Sequence, residues 1–222
     1  MFLTPALKQK LRPWYHRLRG IQMPPLTLVY RPLGWLLAMA GTICSEMGRI
    51  MLWTPLFRAK IRGGEGVFLY SGQPQILGPV TVELGRGCRV SGVSTLCGRP
   101  GSTLRVGDNV DIGWQNTIAC GTHVVLGDNV RLAPRVLLAG YPGHPLEAEA
   151  RAAGEAERPE QARAIVLERD VWLGTGVMVM AGVTIGRGTV VAAGAVVTRD
   201  LPEGVLAGGN PARVIRQLQE AS

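Results

Sequence analysis

The sequence predicts an all-β solenoid, a parallel β-helix of three-sided coils. Three observations predict it: aliphatic residues recur at every sixth position, Gly-Asp-Asn recurs at fixed places between them, and the chain has 30 glycines against 3 phenylalanines. A six-residue period keeps to one face of neither a 3.6-residue helix nor an alternating strand, but it fits short flat sides joined at tight corners. Glycine and asparagine tolerate the positive φ that such corners need, and thin coils leave no room for a bulky aromatic core.

The clearest run is Leu167, Leu173, Val179, Ile185, Val191 and Val197, with Val171, Val177, Val183, Thr189 and Ala195 at the fifth position of each hexad. The same rhythm appears earlier in Leu84, Val90 and Leu96, then Val106, Ile112 and Ile118, then Leu126, Leu132 and Leu138. Three hexads close one coil, and stacked coils bury a continuous aliphatic column. Corners are expected at Gly107-Asp108-Asn109 and Gly127-Asp128-Asn129. On this reading the coil domain covers residues 63–216, with a short tail over 217–222. The length of 222 residues leaves no room for a second full domain. Cys44, Cys88, Cys97 and Cys120 show no CxxC spacing and read as small buried hydrophobes in a reducing compartment.

The net charge of +8 is unevenly placed. Residues 1–62 hold ten Lys or Arg and one acid, Glu46, for +9, whereas residues 63–222 hold 14 and 15, for −1. A nucleic-acid-binding solenoid carries its positive charge on the repeat surface, so nucleic acid is not expected as a partner. Residues 1–62 read as a basic, apolar helical extension. Leu7, Leu11, Trp14 and Leu18 fall at helical spacing beside Lys8, Lys10, Arg12, Arg17 and Arg19, with Pro13 interrupting. From Pro32 to Ser45 the chain is uncharged for 14 residues, short of the roughly 18 to 20 that span a bilayer. Thr42, Glu46 and Arg49 then share one helical stripe. The expectation is an amphipathic pair lying on an anionic membrane surface, with Trp14, Trp35 and Trp53 at the interface. A helical cap over the first coil is the alternative. The cap accounts for the apolar residues but not for the charge asymmetry. No cleavable signal peptide is expected, and the predicted location is cytoplasmic, peripheral on the inner face of the membrane.

The hexads break once, over residues 139–166, and long excursions from compact folds tend to carry function. This one begins Ala139-Gly140-Tyr141-Pro142-Gly143-His144-Pro145-Leu146 and continues through the helix-favouring Glu147, Glu149, Arg151 and Glu155. His144 is one of three histidines. His123 is a rival base outside any excursion. His16, His123 and His144 are too dispersed to suggest a zinc site, so no metal is expected.

Gly143-His144-Pro145-Leu146, Asp170-Val171-Trp172-Leu173-Gly174, Ala181-Gly182-Val183-Thr184-Ile185-Gly186, Ala193-Gly194-Ala195-Val196-Val197-Thr198-Arg199-Asp200 and Gly209-Asn210-Pro211-Ala212-Arg213-Val214-Ile215 together resemble the hexapeptide-repeat acyltransferases, nearest their maltose and galactoside O-acetyltransferase branch. The resemblance covers about residues 76–216. It implies a left-handed parallel β-helix, a homotrimer, and acetyl-CoA held in the groove between adjacent coils with no metal. It implies direct acetyl transfer to a hydroxyl, with His144 as general base. A sugar hydroxyl is a poor nucleophile at neutral pH, and a neutral histidine within hydrogen-bond reach meets that need. By the same resemblance Asn116 stands near an acceptor-orienting Asn, with Gln115 competing for the position. Trp172 lies along the pantetheine arm, or else packs on the excursion or a neighbouring subunit. Gly174, Gly176, Ala193 and Gly194 offer backbone groups to the pantetheine amides, and Thr198, Arg199 and Arg213 meet the nucleotide end of CoA. The branch has a short soluble helical domain where this chain has its basic apolar extension, which points away from a small free sugar. The expected activity is O-acetylation of an envelope glycan or its lipid-linked precursor. Transfer to an amine of a nucleotide sugar or to serine, and an inactive β-helix scaffold in a glycan-assembly complex, are the competing readings.

Overall fold

The computed structural model describes residues 27–218 and, before them, residues 9, 12–14, 17 and 20. Leu7, Leu11, Leu18 and His16 lie outside the described residues. The chain forms two compact units, residues 1–44 and 45–222. A helix over Thr27–Gly48 contains Pro32, and a π-helical turn, Arg49–Trp53, and a short helix, Thr54–Arg58, follow it. Leu33, Trp35, Leu36, Leu37, Ile43 and Met47 are all exposed on a broad apolar face, and Arg31, Thr42, Ser45 and Glu46 lie along the narrower opposite side. Glu46 and Arg49 pair one turn apart, as their shared stripe predicts. Among the described residues no helix is long and apolar enough to cross a membrane.

From Arg62 onward the chain winds into six coils of three strands each. The first sheet stacks β1 (Arg62–Gly63), β4 (Thr81–Leu84), β7 (Thr103–Val106), β10 (His123–Leu126), β13 (Ile165–Leu167) and β16 (Thr184–Ile185). The second stacks β2 (Phe68–Tyr70), β5 (Arg89–Ser91), β8 (Asp111–Ile112), β11 (Arg131–Leu132), β14 (Trp172–Leu173) and β17 (Val190–Val191). The third stacks β3 (Gln75–Leu77), β6 (Thr95–Gly98), β9 (Thr117–Cys120), β12 (Leu137–Ala139), β15 (Met178–Met180) and β18 (Val196–Val197). All pairings between coils are parallel. β19 (Val205–Gly209) adds to the second sheet, and β20 (Ala212–Gln217) folds back on it antiparallel.

Every hexad residue named from the sequence is buried, from Leu84 to Val197, as are Val171, Val177, Val183, Thr189 and Ala195. Each such aliphatic side chain withdrawn from water stabilises the stack by about 1.5–3 kcal/mol. Phe57, fully buried, joins the same core just ahead of the first coil. The first coil, residues 62–77, lies within the expected 63–216 domain but has no regular hexads.

The corners divide their labour differently from the sequence expectation. Asn109, Asn129 and Asp170 take the positive φ, at 55°, 59° and 63°. Gly107 and Gly127 do not; they are glycine because a Cβ would stand 2.4 Å from Asp128 Oδ1 and 2.5 Å from the Arg169 nitrogen in the next coil. Asn109 Nδ2 donates to Asn129 Oδ1, and Asn129 Nδ2 to Asp170 Oδ1, both at 2.8 Å. These bonds run coil to coil and hold the Asp170 carboxyl below its ordinary range, the Asn129 amide first and Arg169 second.

Candidate active site

The excursion leaves the third sheet at Ala139 and rejoins the first at Ile165, so it stands at the corner between those sheets. Its neck is closed by backbone bonds, Gly140 N–H to Ala119 O at 2.8 Å and Arg163 N–H to Gly140 O at 2.9 Å. The expected helix is short, Ala148–Ala152. Gly143 takes φ +79°, a turn that a side chain would resist, and presents His144 to solvent while Pro145 tucks inward.

Polar side chains fix the shape of the loop. Arg151 Nη1 donates to the Pro145 carbonyl at 3.1 Å and also to the Leu146 carbonyl, clasping the backbone directly after His144. Arg158 pairs with Glu147 at 2.9 Å. Arg99, on the second coil, pairs with Glu157 at 2.5 Å, and Glu157 is only 9% exposed. Tyr141 Oη lies 4.0 Å from Cys97 Sγ, and burial raises its pKa, helped by the Cys97 thiol. Arg151 and the Arg99–Glu157 pair were not read as site residues in the sequence. A charged residue in a helix-favouring run gives no sign of which carbonyl it will reach.

The expected CoA residues gather elsewhere. Trp172 points outward from β14 and is 53% exposed. Gly174, Gly176, Ala193 and Gly194 form the corner between the second and third sheets in the last two coils. The N–H groups of Gly174, Gly176 and Gly194 donate to Val191, Pro134 and Thr175 carbonyls at 2.8, 2.9 and 2.8 Å. The N–H groups of these three residues are thus engaged, and the Gly174 carbonyl also accepts, from the Val177 N–H at 3.2 Å. Arg213 is exposed on β20, opposite Gly208. Thr198 and Arg199 are exposed after β18, at the excursion's own corner.

Asn116 does not face an acceptor. It is 1% exposed, its Oδ1 accepts from the Val136 N–H at 2.8 Å, and its Nδ2 is sealed inside the coil with no partner. The side chain joins two coils from within, a job that its position in the repeat did not reveal. His123 opens β10 in the open, with its Nδ1 3.5 Å from Thr122 Oγ1. Among the described residues no three His, Cys, Asp or Glu side chains converge to hold a metal ion.

Fold and site together define a triangular β-solenoid with one structured excursion that displays a histidine. The family profile described as "Bacterial transferase hexapeptide (six repeats)" matches residues 164–199. Galactoside O-acetyltransferase of Escherichia coli (strain K12) is 39% identical over 120 residues, 54% of this chain and 57% of that protein. Nodulation protein L of Rhizobium meliloti (strain 1021) is 38% identical over 130 residues, 52% of this chain and 67% of that protein. The hexapeptide-repeat-containing acetyltransferase VCA0836 of Vibrio cholerae superposes with a TM-score of 0.51 at 25% identity, covering 82% of this chain and 90% of that one. The chain belongs to the hexapeptide-repeat transferase family, and its coil is the left-handed β-helix of that fold. It spans little more than half the length of the galactoside relative.

Proposed function

We propose that this protein is an acetyl-CoA-dependent O-acetyltransferase acting on a sugar hydroxyl of an envelope glycan or its lipid-linked precursor. The observation that carries the reading is His144: exposed, in the long excursion, with the backbone directly after it clasped by Arg151. His144 takes the proton of the acceptor hydroxyl as its oxygen bonds to the acetyl carbon; the carbon–sulfur bond breaks and the proton passes to the departing CoA thiolate. Exposed Trp172 offers an apolar face to the pantetheine arm, and the Gly176, Ala193 and Gly194 carbonyls offer acceptors to its amide N–H groups beside Gly174. Arg199 and Arg213 suit the phosphates, with Thr198 beside them.

His144 and Trp172 belong to different corners of one solenoid, separated by the third sheet. A homotrimer brings the excursion corner of one copy against the Trp172 corner of the next, and supports three sites between copies. Mixing inactive His144→Ala and Trp172→Ala proteins before reassembly is expected to restore about a quarter of wild-type activity, because one site in four then draws both intact residues. The basic residues of 1–62 and the broad exposed apolar face of helix Thr27–Gly48 support a peripheral contact with anionic lipid at the inner face of the membrane. Cosedimentation with phosphatidylserine vesicles that falls on adding salt supports the contact; equal pelleting of a protein lacking residues 1–44 removes it.

The deciding experiment follows thiol release from acetyl-CoA with a panel of envelope glycans, full-length protein against His144→Ala. The expected result is a glycan-dependent rate that falls about 100- to 10,000-fold in the variant. An acetyl group on the product that resists hydroxylamine would replace O-transfer by N-transfer. Absence of CoA binding would leave the scaffold reading.

A further inference from the structure

The corner between the first and second sheets carries a column of charge that the turns do not require. The carbonyls of Glu65, Arg86, Asp108, Asp128, Arg169 and Arg187 each accept from an N–H of the next coil, the last from Gly204, and Glu203 completes the column. All seven side chains are exposed except Asp108, which is half-buried. The corner between the second and third sheets makes the same coil-to-coil bonds at Trp114, Pro134 and Thr175 without a charge among them. There the second sheet is aromatic instead, with Tyr70 stacked on Trp114 at 6.2 Å between ring centroids and only Ser91 and Gly92 between them. Two of the seven charges serve the turns: Asp108 Oδ1 accepts the Arg86 N–H and Asp128 Oδ1 the Asp108 N–H, both at 2.8 Å. The arginines only pair on the surface, Arg86 with Asp108 at 2.8 Å, Arg169 with Asp170 at 2.9 Å and Arg187 with Glu203 at 3.4 Å. Side chains this exposed gain little from such pairs.

The order of the signs is self-complementary. From the first coil onward it runs minus, plus, minus, minus, plus, plus, minus. Turned end for end and slid by one coil, a second copy sets Glu203 against Arg86, Arg187 against Asp108 and Arg169 against Asp128, and a two-fold axis makes each pair twice. A slip of one coil in either direction opposes like charges at most positions, and parallel copies in register oppose them at every one. The column from Arg86 to Glu203 spans five strand spacings, about 24 Å. A concavity of about 820 Å³ beside Glu203, lined by Arg169, Arg187, Gly204, Gln217 and Leu218, leaves room for the Arg86 side chain of the second copy.

We propose that this corner is a two-fold contact between antiparallel copies of the chain, held by ion pairs and dissolved by salt. Its register is set as much by the repulsion of every neighbouring alignment as by its own attraction. Built almost wholly from exposed charge, the contact is weak and reversible. The trimer proposed above uses the excursion corner and the Trp172 corner, so this third corner joins one assembly to another and leaves both of the others free. It does not depend on the transferase reading.

The test is sedimentation velocity on the full-length protein in about 0.01 M and about 1 M salt, where the Debye length is about 30 Å and 3 Å. The expected result is a mass at least twice as large at low salt. Arg86→Glu and Glu203→Arg each oppose like charges twice and are expected to weaken the association at least ten-fold. An equimolar mixture of the two variants should recover it, because positions 86 and 203 face one another only in the antiparallel alignment. Equal mass at both salts overturns the contact, as does association that persists in either variant alone. A mixture that fails to recover also overturns it, by removing the alignment on which it stands. Arg86→Gln and Glu203→Gln, which delete a charge at the same exposed positions, should each weaken association at least three-fold; if the reversed variants do not fold, unchanged association in both glutamine variants overturns the contact.

Discussion

The coil and the excursion are held together by opposite kinds of contact. In the coil, Leu167, Leu173, Val179 and their equivalents are buried on their own counterparts above and below, and no charge enters the stack. Between Tyr141 and Ala164 only Pro145 and Ala162 are buried, and the shape comes from Arg151, Glu147–Arg158 and Arg99–Glu157. A non-directional force builds a scaffold that tolerates repetition. A directional one fixes the backbone directly after a single exposed side chain, His144. Stability and activity are therefore expected to separate along this boundary.

The largest effect that would sharpen this separation is Leu173→Ala. It removes a fully buried residue with aliphatic neighbours in the coils on both sides and is expected to cost about 2–5 kcal/mol in denaturant unfolding. Activity per folded molecule should stay near wild type; a proportionate loss at low temperature would break the comparison. Arg151→Ala should do the reverse. Turnover should drop about ten-fold through a misplaced His144, with the KM for acetyl-CoA unmoved and unfolding changed by no more than about 1 kcal/mol. Arg151→Lys should recover part of that turnover, because one cation can still reach one of the two carbonyls; no recovery with intact folding would remove Arg151 as a positioning residue. The smallest effect is acid sensitivity at the coil corner. The Asp170 carboxyl is held below its ordinary value, so its contribution is present above about pH 4 and is lost as the pH falls through the folded value. Asp170→Asn, which keeps the amide ladder and tolerates the positive φ, should flatten the melting temperature against pH between about 5 and 2.5. An unchanged slope would mean that the ladder does not sense acid.

Most of the coil was legible because each inward position repeats one constraint many times. Fifteen hexad residues obey it, and the error of any one reading is outvoted by the rest. The first coil falls inside the coil domain expected over 63–216, yet it has too few neighbours to impose the pattern; Leu69 is buried there without a regular hexad around it. Asn116 shows the limit on the site. Placed by motif it is an acceptor contact, yet a shift of one position decides whether a side chain points into the coil or out of it, and Asn116 points in. The excursion that carries His144 was legible because an interruption is conspicuous against a strict period. The Tyr70–Trp114 stack was not, because it joins residues 44 apart across a coil that contributes only small residues.

A stackable repeat has no natural length. Each coil offers the next a complete set of unpaired backbone donors and acceptors, and an identical fragment from another chain would satisfy them equally well. Here two features interrupt that logic: Phe57 closes the aliphatic column with a ring before the first coil, and on the second sheet β20 reverses direction, so that the edge it presents is out of step with any parallel newcomer. On that sheet the repeat carries its own terminator, written into the strand direction rather than into a separate cap.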